Sequence, residues 1–306
     1  MSAAANAAGV NPQELKRLWL ACFDDTPQAV DLFFAAYPPQ RHAVACCEEG
    51  RIVAAFYLLP ARLADENGRA RPAAYLYAAG TLPQYRGRGL MGRLLKEGAA
   101  RCSAWADALV LLPASAALYG FYRQHGFVNF YACNRLVLDR SALKEYIRSH
   151  WEPFAAAQAA LPPRKAEADI AGMRRVRDGV LHNRPGSLLW SEAAVAYAAG
   201  AARLYGGGVV QAGQGYALYQ APDAGGTLEV TELMAQEQAL PALLQKLLAL
   251  PAKRYRFRLP AEEEAYRGLV QLAGPAGELA PFGMARWLRG CFMQPARPPY
   301  LGLPLD

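Results

Sequence analysis

The chain has 306 residues, 53% of them hydrophobic and 19% charged, with a formal net charge of +7. That is room for roughly two domains of about 150 residues each, in the composition of a folded protein rather than a disordered one. The basic residues are scattered, so no nucleic-acid partner is expected; a small ligand bearing phosphates accounts for the charge as well.

The six cysteines (Cys22, Cys46, Cys47, Cys102, Cys133 and Cys291) form no C-x-x-C pair. Neither a metal site nor a disulfide framework is indicated, and reduced thiols fit a cytoplasmic protein. The opening MSAAANAAGVNP lacks the basic and apolar regions of a signal peptide. No apolar run approaches the roughly 18 residues of a membrane span, so no membrane partner is expected.

Taken in chain order, residues 13–37 carry two helical patterns. Leu15, Leu18, Trp19 and Phe23 share one face, Val30, Phe33, Phe34 and Tyr37 the next, and DDTP between them supplies caps. HAVACCEEGRIVAAFYLLP reads as a hairpin around a Glu-Gly turn. After the turn-rich ADENGRARP comes a third strand, AAYLYAAGTLP, and then a helix running to about Cys102. ADALVLLP is a short buried strand, SAALYGFYRQHG a helix stopped by Gly126, and FVNFYACNRLVL a strand pair or one long strand.

Residues 151–187, interrupted by Pro153, Pro162, Pro163 and Pro185, read as a linker and connecting helix region between a domain at 1–150 and another at 188–306. The second domain is expected to open with a helix, LLWSEAAVAYAAG. Strands at GVVQA, GYALYQA and TLEVTELMA, a helix at ALPALLQKLLAL and a strand at RYRFRLP follow. That order repeats the hairpin, strand, helix and strand of the first domain, which marks an internal structural repeat with little sequence identity.

Chemistry concentrates in LPQYRGRGLMGRLL, residues 82–95, where a strand gives way to a helix. A glycine-rich turn feeding a helix suits an anion, because main-chain N–H groups can approach it and the helix N-terminus adds partial positive charge. Gly87, Gly89 and Gly92 match the dinucleotide pattern G-x-G-x-x-G, but that pattern also wants an acid at the end of the next strand. Here the nearest acid, Asp107, precedes that strand. Gln84, Gly87 and Gly89 instead match Q/R-x-x-G-x-G/A. Two further matches, at Arg203–Gly208 and Gln271–Ala276, sit between no strand and helix and are set aside.

LPQYRGRGLMGRLL, followed about 25 residues later by LYGFYRQHGF, closely resembles the two signature motifs of the GCN5-related N-acetyltransferases (GNAT). The resemblance covers roughly residues 14–138. The repeated second half resembles the tandem-GNAT proteins related to the enhanced-intracellular-survival acetyltransferases, without their sterol-carrier-like domain. It implies an α/β (α+β) fold of two tandem acyl-CoA N-acyltransferase units, with mixed, mostly antiparallel sheets flanked by helices. The second unit is degenerate, since QEQALP stands where its pyrophosphate loop belongs. The family's usual first strand has no evident counterpart in MSAAANAAGVNP, so the sheet is expected to lack or borrow it.

The implied activity is direct transfer of an acetyl group from acetyl-CoA, the cosubstrate, to a primary amine on a small molecule or peptide. The alternative is a non-catalytic acyl-CoA-binding or regulatory module. A monomer or homodimer is expected. Main-chain groups of Arg86, Gly87, Arg88, Gly89, Leu90 and Met91 suit the pyrophosphate. By resemblance, Gly80, Thr81 and Leu82 bond the pantetheine arm, and Ser115 stands where many members place a pantetheine-contacting Asn. Tyr122 takes the position of the family's acid, with Tyr119 one turn earlier as competitor. No general base stands out. In the relatives the terminal carboxylate reaches the first active site, which makes Asp306 a candidate, beside the plainer reading that it ends a surface strand. None of the four histidines has the spacing of a triad or metal site.

Overall fold

The computed structural model describes residues 4–5, 11–150, 167–274, 277–290 and 295–303. Helices α1 (Pro12–Cys22), α2 (Pro27–Ala36) and the single turn α3 (Pro39–His42) precede the main strands of the first sheet. Their starts are encoded locally. Asn11 accepts a hydrogen bond from the Gln13 N–H at 2.9 Å and Thr26 one from Ala29 at 3.2 Å, each followed by a proline at the first helical position.

The first sheet contains β1 (Ala4–Ala5), β2 (Ala43–Glu48), β3 (Arg51–Ala64), β4 (Ala70–Thr81) and β5 (Ala108–Leu111) side by side. The β2–β3 hairpin turns on Glu49 and Gly50, both at positive φ, as a two-residue turn requires. Although the sequence shows no first strand, Ala4–Ala5 pairs antiparallel with Ala45 and Cys46. Two alanines carry no strand pattern, which is why none was legible. β4 and β5 run parallel, joined by α4 (Leu90–Cys102) across the sheet.

Beyond β5 come α5 (Ala116–Gln124), β6 (Val128–Asn129), β7 (Ala132–Asp139) and α6 (Arg140–His150). The second half holds α7 (Ile170–Leu181), β8 (Leu188–Leu189), α8 (Glu192–Leu204), β9 (Gly208–Gln211), β10 (Gly215–Tyr219) and β11 (Thr227–Ala235). It ends with α9 (Leu240–Leu248), β12 (Arg254–Pro260), α10 (Arg267–Ala273), β13 (Glu278–Pro281) and β14 (Met284–Trp287). Here too the strand before the crossover helix, β11, is parallel to the strand after it, β12. The result is two mixed sheets flanked by helices, consistent with two GNAT-like folds.

The two halves exchange strands. β7, from the first half, lies in the second sheet between β13 and β12, with seven-residue register from Asp139↔Arg254 to Cys133↔Pro260. β14, from the second half, lies in the first sheet between β5 and β6. Leu188 and Leu189, expected to open a helix, are strand β8 against Leu63 and Arg62; α8 begins only after Ser191, whose hydroxyl accepts from the Ala194 N–H.

A buried ionic cluster joins the units. Arg177 and Glu232 are both fully buried and pair at 3.2 Å. Glu232 also accepts from the Tyr216 hydroxyl at 2.6 Å and the Leu303 N–H at 3.1 Å, while Arg177 donates to the carbonyls of Leu188 and Leu301. The segment Leu301–Leu303 is thereby held in the core.

Candidate functional site

Residues 82–91 form the loop the sequence singles out. Gly87 and Gly89 have φ of 76° and 72°, in the left-handed region that disfavours any side chain, and a Cβ at either would meet nothing within 4 Å. The glycines are therefore needed for backbone conformation and open approach, not for packing. Gly89 is the N-cap of α4 and offers no capping side chain, so the N–H groups of the helix's first turn lack an intrahelical partner. No acidic residue occupies that turn. Orphan donors, a helix dipole and open space fit a pyrophosphate.

The third glycine has a different task. A Cβ at Gly92 would lie 2.7 Å from the His125 ring, so Gly92 lets α4 approach the end of α5. The loop arginines bond to the loop itself: Arg86 donates to the Thr81 carbonyl at 3.1 Å, and Arg88 to the Gln84 carbonyl at 3.2 Å. Arg88 also lies over the Tyr85 ring at 4.8 Å and pairs with Glu48 at 3.5 Å. In the second unit the corresponding connection, Glu237–Ala239 into α9, has no glycine and carries an acid.

The strand before the loop is deformed where a ligand arm would lie. Its pairing with β5 stops at Tyr75↔Val110, so from Leu76 onward its edge toward β5 has no strand partner. On the other edge the register steps from Tyr57↔Tyr77 to Ala55↔Gly80, which sets Ala78 and Ala79 against the single Phe56. Ala78 has φ of 49°. A β-bulge with a left-handed, non-glycine residue costs about 1 kcal/mol or more, and such strain concentrates beside functional sites. Nothing in AAYLYAAGTLP signals it, because alanine is not a residue that seeks positive φ. Gly80 is buried against Cys22 and Phe23, and Leu82 is held by the Val53 carbonyl at 2.9 Å.

The bulge opens onto a cavity of about 810 Å³. Ser115, Tyr119 and Tyr122 line it, as do Ala78 and Ala79, whereas residues 80–91 do not. Ser115 is the N-cap of α5, yet its side chain makes no capping bond, which leaves the hydroxyl for the cavity. Gly126, at φ 82°, closes α5: the N–H groups of His125 and Phe127 both bond the Tyr122 carbonyl.

Tyr122 is buried against Phe127, and burial pushes its phenol up to about 12. Among the described residues its hydroxyl has no hydrogen-bond partner. Tyr119 is half-buried. Burial raises its phenol too, opposed by a bond with the Gly283 main chain and by the charge of Arg135. Its hydroxyl is turned toward the second half, which leaves Tyr122 as the unengaged phenol of the two.

Three carboxylates and three guanidiniums that sequence reasoning missed also line the cavity: Asp24, Asp25 and Glu278, and Arg123, Arg135 and Arg258. They come from both halves of the chain, so no local pattern joins them. Asp25 accepts from the Trp19 indole at 2.8 Å and from the Tyr205 hydroxyl; Asp24 is exposed. Asp306 lies outside the described residues, while Leu303 lines a smaller cavity with Asp25 and Tyr77.

Residues 10–129 match the family model described as an acetyltransferase (GNAT) domain. No curated protein is similar enough in sequence to count as a match. In structure the chain is similar to a GCN5-related N-acetyltransferase from Kribbella flavida, with a TM-score of 0.69 at 18% identity over 94% of this chain and 71% of that one. It is similar to another from Anabaena variabilis, with a TM-score of 0.70 at 15% identity over 94% and 73%. Eis1 from Mycobacterium abscessus aligns with a TM-score of 0.65 at 16% identity over 94% and 74%. At these identities the likeness is one of fold, and it spans both halves of the chain. Among the described residues no helix is long and apolar enough to cross a membrane.

Proposed function

We propose, on the premise that this chain carries a GNAT acetyltransferase domain and resembles the Eis-type tandem-GNAT proteins in fold, that it is an acetyl-CoA-dependent N-acetyltransferase acting on a primary amine. The observation that carries the proposal is the continuity of three features along one stretch of chain. The bulged end of β4, which has no strand partner on its β5 edge, leads directly into the positive-φ glycine loop, which leads into the uncapped N-terminus of α4.

Acetyl-CoA supplies an activated acyl group. The first-turn N–H groups of α4 and the main chain of residues 86–91 hold its pyrophosphate. The free β4 edge, together with Gly80, Thr81 and Leu82, aligns the arm, and Ser115 adds a hydroxyl. The bulge at Ala78 presents main-chain groups where the carbonyl oxygen gains charge. The amine nitrogen bonds to the carbonyl carbon as the carbon–sulfur bond breaks. The amine's proton passes to water or to a carboxylate, the candidates being Asp24, which lines the cavity, and Asp306, which only the family resemblance suggests, and Tyr122 protonates the departing sulfur. One amide and one thiol leave.

Loop substitutions test the cosubstrate assignment. Gly89→Asn and Gly89→Asp impose the same left-handed strain, which Asn and Asp tolerate best. Only Asp places a negative charge against the pyrophosphate, and it is expected to weaken CoA binding by about tenfold or more beyond Asn, read by calorimetry. Gly206 and Gly274, at φ of 79° and 53°, control for strain, and their Asp variants are expected to bind CoA normally. Equal CoA affinity in the Gly89→Asn and Gly89→Asp proteins would move the pyrophosphate elsewhere.

A further inference from the structure

Backbone strain at a single residue persists only where its surroundings over-determine it. Ala78, at φ of 49°, carries only a methyl group, which can bond nothing, so the bulge is fixed by what grips β4 on either side. On the far side Gly80 fits under Cys22 and Phe23, the Thr81 carbonyl accepts from Arg86, and the Leu82 N–H is bonded to Val53. On the near side the last paired residue is Tyr77, opposite Tyr57.

Tyr77 is gripped from the second half of the chain. Its ring packs on Trp19 and Phe33, with centroids 5.7 Å and 5.1 Å away, and its hydroxyl is hydrogen-bonded to that of Tyr197 on α8. Tyr197 is itself buried, and its ring meets Phe33 edge-on at 5.6 Å. Tyr205, eight residues on at the end of α8, lies on the same helix face but bonds Asp25 instead. The three tyrosines line one small cavity of about 50 Å³. Tyr77 also borders the main cavity, which Tyr197 does not.

Resting on the acyltransfer reading above, we infer that Tyr197 is a positioning residue for acyl transfer: through the Tyr77 hydroxyl it holds the bulge at Ala78, and with it the main-chain groups that meet the carbonyl oxygen. A neutral hydrogen bond biases a local equilibrium by about 2- to 12-fold, and a left-handed, non-glycine residue is disfavoured by about 5- to 30-fold. One bond is therefore of the size that decides whether the strained turn or a relaxed one is populated. The second unit, which lacks a pyrophosphate loop, thereby takes part in the reaction by bracing a strand of the first.

Tyr197→Phe and Tyr77→Phe each remove one oxygen and keep the ring packing. Each is expected to lower kcat about 10-fold, less than the roughly 100- to 1,000-fold cost of deleting an oxyanion donor outright. KM for acetyl-CoA and calorimetric CoA affinity are expected to stay within about twofold, because the loop and α4 are untouched. The double variant is expected to be no worse than either single one, since both break the same bond. Amide hydrogen exchange without substrate gives the second readout. Residues 76–82 are expected to exchange about 2- to 10-fold faster in both single variants, while Tyr205→Phe, whose lost bond is to Asp25, leaves that stretch unchanged.

Unchanged kcat or unchanged exchange in Tyr197→Phe would overturn the inference. So would additive losses in the double variant, faster exchange across the whole first sheet, or an equal effect of Tyr205→Phe, each of which describes loosened packing. The exchange measurement separates this inference from the acyltransfer reading. If the unsubstituted chain releases no thiol with any amine, that reading fails, and exchange at residues 76–82 still decides whether Tyr197 holds the bulge.

Discussion

Tyr122→Phe is expected to lower kcat by about 100- to 10,000-fold, the usual worth of general acid help, with KM for acetyl-CoA nearly unmoved. The change removes one oxygen and keeps the ring against Phe127, and the hydroxyl has no described partner to lose, so stability is expected to hold. Tyr119→Phe is expected to cost far less, because that phenol is turned toward Gly283 and Arg135. The reverse ranking would move the acid to Tyr119, and near-normal kcat in both would leave the thiolate to water.

Burial holds the Tyr122 phenol up to about 12, above the roughly 8.5 of a thiol in water. Tyr122 therefore does not protonate a free, solvated thiolate. As the proposed acid it is expected to donate to a sulfur held against its own buried ring, where desolvation raises the thiol's proton affinity as well. The sign for pH follows: the acid form persists through neutral pH, and its loss gives a falling limb near pH 12 rather than near 10. A limb near 10 that Tyr122→Phe abolishes would contradict the burial.

Arg177→Met is expected to destabilise the fold by about 3–5 kcal/mol, because Glu232 is left charged and buried without its counter-ion. For a chain of this size the loss corresponds to a melting shift on the order of 10 °C. The double variant Arg177→Met, Glu232→Met is expected to lose less, since no lone charge remains; this coupling is what a double-mutant cycle reads. The cluster has no slack. A Cβ at Gly302 would lie 2.3 Å from the Arg177 guanidinium and 2.4 Å from Glu232, and Gly302 sits at φ 56°. Additive losses in the cycle would mean that Arg177 stabilises the fold through its main-chain bonds to Leu188 and Leu301 alone.

What the sequence revealed was local. Asn11 and Thr26 announce helix starts, Glu49-Gly50 announces a hairpin, and the glycine loop is legible because only glycine accepts its φ angles cheaply. The repeat order of β9 to β12 was readable from strand and helix periods. The exchange of β7 and β14 between sheets was not, because a strand's pattern records that one face is buried and not which sheet buries it. The bulge at Ala78 and the β8 pairing of Leu188–Leu189 are set by partners far along the chain. The same holds for the site. Tyr122 stands out by its distance from Gly126-Phe127, whereas Asp24, Arg135 and Arg258 meet only in the folded chain.

Acyl transfer is tested most directly by incubating the full chain with acetyl-CoA and a panel of amines, measuring released thiol and acetylated amine together. The account predicts both products in equal amounts, dependent on the amine and sharply reduced in Tyr122→Phe. Binding of acetyl-CoA with no thiol released above hydrolysis for any amine, peptide or amino sugar would contradict it and leave a binding module in its place.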